Sequence, residues 1–335
     1  MQKFRAAVIG ITLAVMFFIP MGLIEKEKSG FSENAEKETP VEEDFEAQLL
    51  KEENEEFFRI FDIETEEILN VGYSDYVKGA IASEMGADFE FEALVAQGVA
   101  AFTCGLYQKE SKSDGDYDFS AAPGKKLGYL TEEKAKEIYG GAFEEKWKII
   151  SDAAEKAMRY VLIYDGEPAL SVYHAVSAGM TESAENVWNG ALPYLVSVES
   201  SGDVFYEWYE SEVSVSKDEA LKKLNSYGAA LNGKHPEEWF EGAELSDAGY
   251  VKSIKIGAAT FSGEKLRNLF GLRSAAFDAE YKNGEFIFTV RGYGHGVGMS
   301  QVGANYMAKN GADFKEILAH YYPGTKLSEY NEIYK

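Results

Sequence analysis

Between Arg291 and Ser300 the chain reads RGYGHGVGMS, with glycine at 292, 294, 296 and 298. Glycine loses more conformational entropy on folding than any other residue. Four at alternate positions therefore require positive φ values, or an approach of backbone that a Cβ would forbid. Two readings are open: the loop ends a strand in successive glycine turns, or it leaves bare backbone around His295 for a ligand. A phosphate cradle does not fit, because no P-loop lysine follows and no strand-to-helix dinucleotide fingerprint with a downstream acid is present.

The rest of the chain bounds what can surround that loop. Its 335 residues, 45% hydrophobic, allow one large domain or two ordinary ones with an ample core. A formal charge of −24 excludes nucleic acid as a partner, since that needs a basic surface. The single cysteine, Cys104, rules out an internal disulfide and a cysteine zinc site, and reads as a small buried hydrophobe. Lys3 and Arg5 precede an apolar run over 6–24, just long enough to cross a bilayer, with no small-x-small pair at its end. This predicts an uncleaved signal anchor, residues 1–24 forming a cytoplasmic stub and transmembrane segment, with everything beyond it extracytoplasmic; a cleaved secretory peptide is the alternative. Residues 25–56 hold thirteen acids against four bases, an acidic flexible tether that as a random coil reaches roughly 30 Å.

The folded domain is expected over 57–335. FFRIFDI and ILNV around ETEE read as two strands and a turn. Helices follow at 74–86, with Ser74 as N-cap and Gly86 as stop, at about 90–108, and at about 132–158 with a break at Gly140-Gly141. A hairpin turns at Asp165-Gly166, a helix lies near 217–225, EFIFTVRG alternates as a strand, Ser300 caps a helix, and Pro323-Gly324 stops the last one. Helices early and strands late imply an α+β fold.

Glu84 is the most informative side chain. Val77, Ala80 and Ile81 mark the apolar stripe of its helix, and helical counting puts Glu84 on that stripe, in the last turn where the macrodipole is negative. Both effects raise a carboxyl pKa and make a proton donor near neutrality; the alternative is pairing with a lysine or fraying into solvent. VYHAVSAGMTESAENVW gathers His174, Ser177, Thr181, Glu182 and Glu185, the composition of a binding rim or of a hydroxyl-rich turn. Arg267, Arg273 and Ser274 are potential donors to a sugar or carboxylate, or ties between loops. His174, His295 and His320 lack metal-ligand spacing, so no metal is predicted.

YVKGAIASEMGADFEFEALVAQGVAAFT, YHAVSAGMTESAENVW, PYLVSVES, SGEKLRNLFGLRS and GYGHGVGMSQVGANYMAKNG with FKEILAHYYPGT together resemble the stage II sporulation protein D family, which includes amidase enhancers of bacterial cell walls. The resemblance implies one extracytoplasmic catalytic domain, an early helical part and a later, mostly antiparallel β part around a substrate cleft. It implies a membrane-anchored lytic transglycosylase, cutting peptidoglycan glycan strands freed of stem peptides, in the septal intermembrane space during engulfment. A partner cell-wall amidase and other engulfment membrane proteins come with that reading, and no cofactor does. Glu84 stands at the family's catalytic EM motif; His174, Ser177, Tyr293, His295 and Gln301 fall in its cleft motifs. The chain departs from the family at Phe102, where an arginine is usual, at Ala178 for glycine in the SGG turn, and in lacking the zinc ligands of some clostridial relatives. A non-catalytic glycan-binding activator of an amidase, and a hydrolase pairing Glu84 with Glu182 or Glu185, are the competing readings.

Overall fold

The computed structural model describes residues 56–111, 115–123, 128–188 and 190–334. The expected anchor and nearly all of the tether lie outside the described residues; among those described, no helix is long and apolar enough to cross a membrane.

The chain opens with the antiparallel hairpin β1 (Phe57–Asp62) and β2 (Glu67–Gly72), from which α1 (Tyr73–Glu84) starts without a linker. Ser74 is therefore inside the first turn and is not the cap. Tyr73 N–H instead continues the strand ladder to the Glu56 carbonyl, and its ring packs 4.4 Å from Phe58, which fixes where the helix begins. Gly86, at φ 74°, ends it as the spacing predicts.

Next comes α2 (Phe91–Ser111), buried on all sides from Ala93 to Thr103. A helix apolar all round belongs in the middle of a core. α2 occupies that place, against α1 on one side and, further along the chain, α4 on another. The strand β3 (Phe119–Ala121) adds to β1 in parallel, and α3 (Glu132–Tyr139) and α4 (Phe143–Ala157) are separated at Gly140-Gly141 as expected. The hairpin β4 (Tyr160–Tyr164) and β5 (Glu167–Pro168) turns through Asp165 and Gly166, both at positive φ, which fits a right-twisted two-residue turn. Then come the two-residue strand β6 (Tyr173–His174) and the short helix α5 (Ala184–Val187).

From β7 (Glu210–Ser216) the chain builds a second lobe. It adds α6 (Lys217–Asn225), β8 (Glu244–Leu245), β9 (Val251–Ile256), β10 (Ala259–Phe261), α7 (Gly263–Phe270), β11 (Ala276–Lys282) and β12 (Glu285–Arg291). Two antiparallel sheets, ordered β11-β12-β7 and β10-β9-β8, enclose a core of Leu224, Trp239, Ile256, Leu266, Phe270, Phe286 and Phe288. The chain then returns to the first lobe through β13 (Met299–Ser300), α8 (Gln301–Lys309), α9 (Phe314–Tyr321) and β14 (Lys326–Glu329). β13 pairs with β6 in parallel, β14 pairs with β4, and α8 and α9 pack on α2.

The α+β class therefore holds. A β hairpin comes first, and the last helices complete the first core, because Ile317, Leu318 and Tyr322 have their apolar partners there and not among the strands just before them. The segment 203–250 supplies an edge strand, the helix expected near 217–225 and core aromatics to the second lobe.

Candidate active site

The glycine loop runs along the junction of the two lobes. All four of its glycines have positive φ, from 73° at Gly298 to 115° at Gly294. A Cβ on Gly298 would collide with the Val172 carbonyl, and one on Gly292 would sit 2.7 Å from the Val176 carbonyl. Both demands expected of such glycines are thus met, conformation and closeness. The close approach, however, is to the protein's own segment 172–177 and to Tyr250, which crowds Gly296.

That tight seam places the two histidines. His174 Nδ1 lies 3.1 Å from the Val297 carbonyl, and a carbonyl only accepts, so Nδ1 carries the proton and Nε2 is a bare acceptor. Nε2 is buried without a hydrogen-bond partner. The Val297 N–H donates to His295 Nδ1 at 3.0 Å, so His295 is protonated on Nε2. The rings are 5.8 Å apart, and Trp188 lies 5.2 Å from His295. Burial pushes His174 down to about 4, with the Arg267 charge adding to it and the Val297 bond opposing. His295 is driven well below the ordinary imidazole range by burial, by His174 and by Arg267. Both rings are neutral near pH 7.

Glu84 ends α1, half-buried, at the foot of α8. Gln301, the first residue of α8, donates from Nε2 to Glu84 Oε2 at 3.3 Å and lies 3.4 Å from Oε1 of the fully buried Gln97 on α2. Ser300 caps α8 by accepting from Gly303 N–H, which fixes where Gln301 stands. Desolvation raises the Glu84 pKa to about 7, with the Gln301 bond pulling the other way. The partner is a neutral amide and not a lysine, so nothing cationic holds the carboxyl ionised in this contact. Tyr76 and Tyr173 also feel the Glu84 charge.

The other expected residues are differently occupied. The Ser177 hydroxyl donates to Asp203 Oδ2 at 2.5 Å, and Ser300 donates to Oδ1 at 2.8 Å. Asp203, fully buried and raised to about 6 by desolvation, thereby ties the 177 turn to the start of α8. Thr181 Oγ1 accepts from Val198 N–H, and the Ser274 hydroxyl donates to the Arg291 carbonyl. The Ser177, Thr181 and Ser274 hydroxyls thus serve the protein's own turns. Arg273 lies over the Tyr293 ring at 5.7 Å, and the Tyr293 backbone pairs with Val176. Glu182 is buried at the lobe junction, its N–H on the Gly296 carbonyl, whereas Glu185 is exposed. His320 contacts the Glu199 carbonyl through Nε2. Among the described residues, the one group of three acidic or histidine side chains close enough for a metal ion is His235, Glu237 and Glu238, all exposed.

Phe102 is buried among the rings of Tyr73, Tyr330 and Phe58. It follows Gln97 by five residues, about 140° round the helix, so it faces away from the side of α2 that meets Gln301. Sequence reasoning missed Gln97 and Asp203. The signal available for both was a polar residue in an otherwise apolar or unassigned stretch.

Comparison with known proteins decides the family. A stage II sporulation protein D from Bacillus subtilis (strain 168) is 34% identical over 267 residues, 78% of this chain and 75% of the relative. The chain belongs to the stage II sporulation protein D family. A family model described as stage II sporulation protein matches residues 62–164, and the Bacillus amyloliquefaciens stage II sporulation protein D is 33% identical over 270 residues, 78% of this chain and 75% of the relative. An amidase enhancer from B. subtilis is 25% identical over 313 residues, 76% of this chain but 40% of that longer protein.

Proposed function

We propose that this member of the family is a lytic transglycosylase, acting on peptidoglycan glycan strands without stem peptides, with Glu84 as its general acid and base. The observation that carries the proposal is a half-buried glutamate with its pKa near 7, hydrogen-bonded to a neutral amide. At neutral pH such a group is divided between acid and carboxylate, so it can give a proton and take one back. As acid, Glu84 protonates the glycosidic oxygen while the bond to the anomeric carbon breaks. As carboxylate, it then takes the proton of the muramic 6-hydroxyl as that oxygen bonds to the same anomeric carbon. The product is a 1,6-anhydro end, and no water is consumed.

A hydrolase would need a second carboxylate as nucleophile or base. Among the described residues, the hydrogen-bond partner of the Glu84 carboxyl is the Gln301 amide and not a carboxylate. The neutral histidines and Trp188 suit the polar and apolar faces of a sugar ring. In this reading residues 1–24 anchor the protein in a membrane, 25–56 tether it, and 57–335 act outside the cytoplasm in septal wall remodelling during sporulation, beside an amidase and other engulfment membrane proteins.

The similarity to an amidase enhancer favours one alternative: a domain that binds glycan without cutting it and activates an amidase. Mass spectrometry of peptide-free strands incubated with the chain separates the two. Parent-dependent 1,6-anhydro ends that vanish in Glu84→Gln, with binding retained, are the expected result. Cutting that survives in Glu84→Gln would refute the role of Glu84, new reducing ends would indicate hydrolysis, and bound but uncut strands would favour the activator.

A further inference from the structure

A polar pocket lies where the lobes meet. Glu182 and Asn186 line it from the first lobe, and Tyr250, Lys252, Ser262 and Glu264 from the second. It adjoins the glycine loop, since the Glu182 N–H donates to the Gly296 carbonyl, next to His295.

The hydrogen bonds of the two glutamates are unevenly used. Glu182 is 1% exposed. Its Oε1 accepts from Ser183 N–H at 2.7 Å and from Asn186 Nδ2 at 2.8 Å, which fixes the carboxylate, while Oε2 is buried with no hydrogen-bond partner. Glu264 contacts the Arg267 guanidinium through Oε2 at 3.3 Å, and its Oε1 is likewise buried and unpartnered. Lys252 has its own acid, Glu244, at 3.8 Å. Both donors to Glu182 are neutral, so Glu182 Oε2 and Glu264 Oε1 are left as two buried acceptor oxygens without donors. A buried carboxylate oxygen is costly to leave unpaired, and a fixed one selects for a donor.

The matching chemistry is a small cation with several N–H donors. Among the described residues no third acidic or histidine ligand joins the two glutamates, which would leave a divalent metal ion under-ligated. A hydroxyl supplies one donor, whereas a primary ammonium supplies three, enough for both carboxylate oxygens at once, and a positive charge beside them. Resting on the reading of this protein as a glycan binder, we propose that the Glu182–Glu264 pocket binds the free 2-ammonium group of a de-N-acetylated amino sugar within the strand.

The test measures binding of the Glu84→Gln form of the 335-residue chain to glucosamine oligomers and to N-acetylglucosamine oligomers of equal length, at a pH that keeps the amines protonated. The glucosamine oligomers are expected to bind about tenfold more tightly, and Glu182→Gln or Glu264→Gln to erase that preference. The amide introduced by Glu182→Gln keeps an acceptor for Ser183 and Asn186, and circular dichroism checks that each variant folds. Glu185→Gln removes the same formal charge from an exposed position and controls for general attraction to an acidic protein; it should leave the preference intact. Equal binding of the two oligomers, or equal losses in Glu182→Gln and Glu185→Gln, would overturn the pocket's assignment alone. Failure of both oligomers to bind would instead overturn the glycan reading on which it rests.

Discussion

If Glu84 is kept half-protonated at neutral pH by burial, the protein sacrifices stability for it, and the amount is measurable. The carboxyl titrates at about 4.5 in an unperturbed chain and at about 7 in the fold. Because the folded pKa is the higher one, the favourable contribution is complete below about pH 4.5 and is lost as the pH rises through about 7. The shift of about 2.5 pKa units, at 1.36 kcal/mol each, makes the loss about 3 kcal/mol above neutrality. Glutamine cannot ionise and still offers an oxygen to Gln301, so Glu84→Gln should escape that loss. Urea denaturation of both proteins across a pH series should give nearly equal stabilities at about pH 4 and a variant more stable by about 2–3 kcal/mol at about pH 8. The raised Asp203 and the depressed histidines are present in both proteins and cancel in the difference. A gap that does not change with pH, or one that favours the parent at alkaline pH, would refute the assignment of a raised pKa to Glu84.

Gln301→Leu removes the hydrogen bond that pulls the Glu84 pKa down, and should move the alkaline limb of the pH–rate profile for strand cutting to higher pH. An unmoved limb would mean that Gln301 does not touch the acid during turnover. Gly298→Ala places a Cβ against the Val172 carbonyl at φ 73°, and should cost about 3 kcal/mol or more, roughly 10 °C in melting temperature. Asp203→Ala removes the carboxylate acceptor of the buried Ser177 and Ser300 hydroxyls and should destabilise by about 3 kcal/mol in the same assay; an unchanged transition would show that both hydroxyls find other acceptors.

What was legible in the sequence was local. Gly140-Gly141, Asp165-Gly166, Ser300 and the strand 285–291 announce themselves within a few residues, through propensity, turn chemistry and period. Glu84 was legible for the same reason, since its place on an apolar stripe follows from three neighbours in one helix. The partner that completes the site was not: Gln301 lies 217 residues away, and only the packing of α8 on α2 brings it to Glu84. Ser74 misled because capping propensity is a local preference, and the pairing of β2 with β1 through Gly72 had already set the start of the helix. The glycine loop showed that close approach was required without showing to what. Its neighbours turn out to be Val172, Val176 and Tyr250, so the loop acts by holding the two lobes and the histidines in register.

That arrangement bears on where the proton goes between the two halves of the proposed reaction. The proton that is given to the leaving oxygen, and the one later taken from the 6-hydroxyl, could in principle be held on an imidazole or on the glutamate. With Glu84 titrating at about 7 and His174 at about 4, the glutamate is the preferred site by about 3 units, or about 4 kcal/mol. His295 is displaced in the same direction by burial and by two cationic neighbours when His174 is protonated. The histidines therefore act as fixed, neutral hydrogen-bonding groups, and their burial is what keeps them from competing for the proton. The same desolvation that makes the imidazoles poor bases keeps the carboxyl protonated near neutrality, because in each case it disfavours the charged form. One physical cause, desolvation by burial, thus sets both roles.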